Sequence, residues 1–76
     1  MSPKVKIVKA IENYSLLLEF ENGEIKKFDV TPYLSKGRFN ELKEISMFRT
    51  VKVSDGAIEW ANTLDFSPDT LYLLSK

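Results

Sequence analysis

An α+β fold is predicted by three features of the 76-residue sequence. Two turn dipeptides, Asn22-Gly23 and Asp55-Gly56, each separate β-forming runs. Apolar residues between Phe39 and Phe48 recur at every third position, and Ser67-Pro68 opens an apolar tail. Together these predict a small antiparallel sheet of about five strands built from two hairpins, with a short central helical segment and a short C-terminal helix. The length predicts a single domain over residues 1–76, since domains are typically ~100–150 residues long.

The first strand is expected over Val5–Glu12, where Val and Ile partly alternate with lysine, and Glu12-Asn13 is the expected turn. Tyr14 to Glu21 then places Tyr14, Leu16, Leu18 and Phe20 on one face and Ser15, Leu17, Glu19 and Glu21 on the other. A two-residue Asn22-Gly23 loop would set the apolar residues of the third strand against the charged face of the second. An odd-length loop instead pairs Leu16 with Phe28 and Tyr14 with Val30, so a glycine-bulge turn with Gly23 left-handed is expected. Thr31-Pro32 reads as a cap followed by one helical turn to Ser35, ended by Gly37.

Phe39, Leu42, Ile45 and Phe48 mark a short or 3₁₀-like helix facing the sheet. Thr50–Ser54 and Ala57–Trp60 flank Asp55-Gly56 as a further hairpin. Ser67-Pro68 repeats the cap-then-proline pattern, and Asp69 falls in the first turn, where the helix dipole favours an anion.

Composition narrows the chemistry. The chain contains no histidine and no cysteine, the side chains that most often perform acid-base, nucleophilic and metal chemistry, so no enzyme and no cofactor is expected. Eleven basic and eleven acidic residues give a formal net charge of zero. That balance provides no global attraction to nucleic acid or anionic membrane and little repulsion between copies. No apolar run approaches the ~20 residues of a membrane span, and the N-terminus lacks the apolar core of a signal peptide. Cytoplasmic residence is the expectation.

The candidate residues each have a structural alternative. Trp60, near Asn62 and Asp65, has the ring to stack on a ligand, but tryptophan's burial tendency favours a core or rim position. Asp65 and Asp69 are close enough in sequence to act as paired carboxylates, yet turn and cap roles account for both. Lysines and arginines from Lys4 to Lys52 are interleaved with Glu19, Glu24, Glu41 and Glu44, which favours a solvated surface over a nucleic-acid site. The three glycines are dispersed and form no phosphate-binding loop.

Leu16-Leu17-Leu18-Glu19-Phe20-Glu21-Asn22-Gly23-Glu24, followed by Phe28-Asp29, Phe48, Ile58-Glu59-Trp60, Asp65 and Pro68-Asp69-Thr70-Leu71-Tyr72, resembles the small, mostly bacterial family called domain of unknown function 2442. The resemblance covers nearly the whole chain. It implies an α+β fold with a small antiparallel sheet and no established activity, cofactor or catalytic residue. Relatives joined to a helix-turn-helix domain, or encoded beside another small protein, imply an interaction or regulatory role by analogy. Where family members usually carry a glycine after the tryptophan, this chain has Thr63.

The leading expectation is therefore a non-catalytic protein-interaction or regulatory module that binds a protein partner or itself. Its expected surface is an exposed sheet edge or a patch around Tyr33, Trp60, Asp65 and Tyr72. The alternative is a small-ligand or nucleic-acid binding module using Trp60, Tyr72 and nearby lysines.

Overall fold

The computed structural model describes residues 2–76 as two three-stranded antiparallel sheets with short helical segments between and after them. The first sheet contains β1 (Val5–Ile11), β2 (Ser15–Phe20) and β3 (Ile25–Asp29), in that spatial order. The second contains β4 (Lys52–Ser54), β5 (Ala57–Glu59) and β6 (Asp65–Phe66). Between the sheets lie 3₁₀ segments at Thr31–Tyr33 and Gly37–Lys43 and a single helical turn, α1 (Ile45–Phe48). Helix α2 (Pro68–Leu74) follows β6.

The α+β class agrees with the sequence prediction, but six strands in two sheets replace about five in one. Strand β6 is the addition, and at two residues it carries no alternation to detect. Strands β1 and β4 form no continuous ladder, although the Val5 amide donates to the Gly56 carbonyl at 2.8 Å. A single hydrophobic cluster draws on both sheets, including Leu16, Leu18, Phe20 and Phe28 from the first and Ile58 and Phe66 from the second.

The expected register of the first sheet is present. Leu16 pairs with Phe28, and the Val30 amide donates to the Tyr14 carbonyl at 3.0 Å. The Gly23 amide reaches the Phe20 carbonyl and the Phe20 amide reaches the Glu24 carbonyl, both at 2.9 Å, with Gly23 at φ 89°. This is the bulged turn that the face argument required. The preceding turn is wider than Glu12-Asn13, because Tyr14 joins it at φ 55° and β2 begins at Ser15.

Two local expectations change. Thr31 is not the helix cap: Val30 occupies that position without a side-chain cap bond, while Asp29 Oδ1 accepts the Thr31 amide at 2.9 Å. Gly37 does not close a helix; it opens the second 3₁₀ segment at φ 49°. The three-residue spacing correctly signals 3₁₀ geometry, but extended Glu44 separates that segment from α1. Leu42 and Phe48 enter the core, whereas Ile45 is exposed. At α2, Ser67 Oγ accepts the Thr70 amide at 3.2 Å, Pro68 begins the helix and Asp69 lies in its first turn, as predicted.

Candidate interaction surface

Trp60 is only 1% exposed, and its indole Nε1–H donates to the Phe48 carbonyl at 2.9 Å. That bond satisfies the polar end of a large buried ring. The expected surface thus loses Trp60 to the core, and the burial tendency of tryptophan prevails over its proposed role as an exposed anchor.

Tyr33 is half-buried in an aromatic cluster. Its ring stacks on Phe28 at 5.9 Å and meets Phe66 edge-on at 5.1 Å. Asp65 is exposed on β6 and lies opposite Glu59, which in turn pairs with Lys52, giving a charged cross-strand row. No group of three or more metal-ligating side chains occurs among the described residues, and Asp69 instead accepts the Ser2 amide at 3.3 Å.

Tyr72 fastens α2 to the first sheet. Its ring lies edge-on to Phe20 at 5.1 Å, the Lys26 ammonium sits 3.9 Å from its centroid, and its hydroxyl donates to Glu24 Oε1. The Tyr72 and Asn22 donors hold the Glu24 carboxyl below the usual range, while the bond to Glu24 holds the Tyr72 hydroxyl above it. Much of Tyr72 is therefore engaged within the molecule.

The basic residues are distributed among separate local contacts. Lys26 lies over Tyr72, Arg38 Nη2 donates to the Asn62 carbonyl at 2.6 Å, and Lys4 lies against Gly56. Lys6 approaches Glu19 at 3.8 Å.

The surface that the sequence reading did not assemble is the outer face of the first sheet. Ile7, Leu17 and Ile25 are 50%, 40% and 64% exposed there, one on each strand. Cross-strand pairing produces two adjacent rows, Ile7–Glu19–Ile25 and Lys9–Leu17–Lys27. A register irregularity between Val5 and Ile7 changes the pairing at this end of β1: Val5 is buried, while Lys6 and Ile7 are both exposed. A shallow hollow of about 130 Å³ lies among Ile7, Lys9, Leu17, Glu19 and Ile25.

The turn after Trp60 is closed by backbone hydrogen bonds. Its Thr63 amide donates to the Trp60 carbonyl at 3.0 Å, the Trp60 amide donates to the Leu64 carbonyl at 2.8 Å, and Thr63 sits at φ 71°. A β-branched residue is disfavoured in this conformation, which glycine adopts readily. Residues 5–76 match the model of a family described as "Protein of unknown function (DUF2442)". The chain belongs to this family. In this DUF2442 protein, Thr63 occupies the left-handed position of that turn. No curated protein and no solved structure matches the DUF2442 chain. No helix among the described residues is long and apolar enough to cross a membrane.

Proposed function

We propose that this DUF2442 protein is a non-catalytic protein-interaction or regulatory module whose contact surface is the outer face of the first sheet. The observation that carries this reading is the exposure of Ile7, Leu17 and Ile25 on three neighbouring strands, framed by Lys9, Lys27 and Glu19. A partner that covers the three apolar side chains removes them from water, while the charges around them favour one register over another. Tyr33 and Tyr72 serve the fold through their aromatic contacts and are secondary to this face.

A photo-crosslinking amino acid placed at position 17 in protein expressed in cells tests this reading. Position 35, an exposed site on the connection between the 3₁₀ segments, provides the control. Discrete protein adducts are expected from position 17 and not from position 35. An absence of protein adducts from position 17, and from further probes at positions 7 and 25, overturns the reading.

A further inference from the structure

We infer that the outer face of the first sheet binds a second copy of this chain, an inference that rests on the interaction reading above. The two adjacent rows have complementary patterns. One is apolar–acid–apolar, Ile7–Glu19–Ile25, and the next is base–apolar–base, Lys9–Leu17–Lys27. Rows on one face of a strand lie about 6.6 Å apart, and neighbouring strands about 4.8 Å apart. A two-fold axis parallel to the rows and midway between them places each row over its counterpart on the second copy.

In this arrangement the second copy's Glu19 lies over Leu17, between Lys9 and Lys27, and the reciprocal contact is equivalent. Its Ile7 and Ile25 cover the aliphatic stems of Lys9 and Lys27, whose ammonium groups extend to the rim. The hollow of about 130 Å³ provides space for side chains to interdigitate. A two-fold axis along β2 instead superimposes Glu19 on its own copy, so the charge pattern selects the first orientation. The zero net charge of the chain adds no overall repulsion between copies.

Three short strands offer a small footprint, at the lower end of the interface range, so the dimer is expected to form at micromolar or higher concentration. Sedimentation equilibrium over a dilution series reaching millimolar concentration tests the inference, with circular dichroism confirming that each variant is folded. The wild-type mass should rise from that of a monomer towards twice that value. Leu17→Glu should remain monomeric.

Glu19→Lys and the double variant Lys9→Glu/Lys27→Glu should each dimerise at least tenfold more weakly than wild type. Mixing them should restore association, because both reciprocal contacts are again between opposite charges, one with its original signs and one with them exchanged. A wild-type monomer at all concentrations, unchanged dimerisation of Leu17→Glu, or a charge-exchanged mixture that fails to associate overturns the inference. If position 17 still crosslinks to a different protein, self-association fails while the interaction reading stands; loss of both results removes both.

Discussion

Trp60 joins a large ring to a buried polar bond, so truncating it affects both packing and hydrogen bonding. Trp60→Phe should lower unfolding stability by about 2–3 kcal/mol through lost volume and an unpaired Phe48 carbonyl. Urea unfolding followed by circular dichroism measures this without relying on the removed fluorophore. Asp29 has a different signature. The Thr31 hydroxyl and amide, followed by the charges of Lys27 and Lys76, hold its carboxyl below the usual range. A depressed carboxylate contributes stability above its unfolded value and loses that contribution as pH falls through the folded value.

Asp29→Asn retains an oxygen for the Thr31 amide but removes the titration, so its melting temperature should fall less steeply with acidification than that of wild type. Tyr72 titrates in the opposite sense: its raised hydroxyl contributes below the unfolded tyrosine value and loses that contribution as pH rises through the folded value. Tyr72→Phe should remove a late component from the alkaline tyrosine absorbance titration. The burial of Trp60 was readable from residue type. The engagement of Tyr72 with Glu24 was not, because it joins residues far apart in the chain.

The β2–β3 and β5–β6 turns share one hydrogen-bond pattern. Phe20 and Trp60 open them, Asn22 and Asn62 accept the amides two residues later, and Gly23 and Thr63 occupy the left-handed position. The first was legible because Asn-Gly reports its backbone conformation directly. Threonine concealed the second, and with it β6. Thr63→Gly should therefore stabilise the protein by about 1 kcal/mol, whereas Gly23→Ala should destabilise it by a similar amount. Chemical denaturation of the two variants measures both signs. Asn62 also donates to Glu41 at 2.8 Å and its carbonyl accepts from Arg38, so the 3₁₀ segment braces the turn that contains Thr63.

The α+β class, the first hairpin register and α2 follow from alternation, turn chemistry and capping that can be read along the chain. The division into two sheets depends on β1 and β4 lying near one another without a ladder, which no local pattern encodes. The candidate face was partly visible: alternation places Leu17 opposite the core, but the two rows require the pairing of all three strands and the irregularity beside Ile7. The four-residue surface expected from sequence was drawn instead towards aromatic side chains, which the fold uses largely for internal packing.

The bond between the Val5 amide and the Gly56 carbonyl also orders events in time. Strands β1–β3 meet through short turns, whereas this bond joins sites separated by most of the chain. Closing that long segment carries a larger entropic cost than forming either hairpin turn, so the first meander can assemble before the second docks against it. In refolding experiments, amides of β2 should gain protection before the Val5 amide, with burial of Trp60 accompanying the later step.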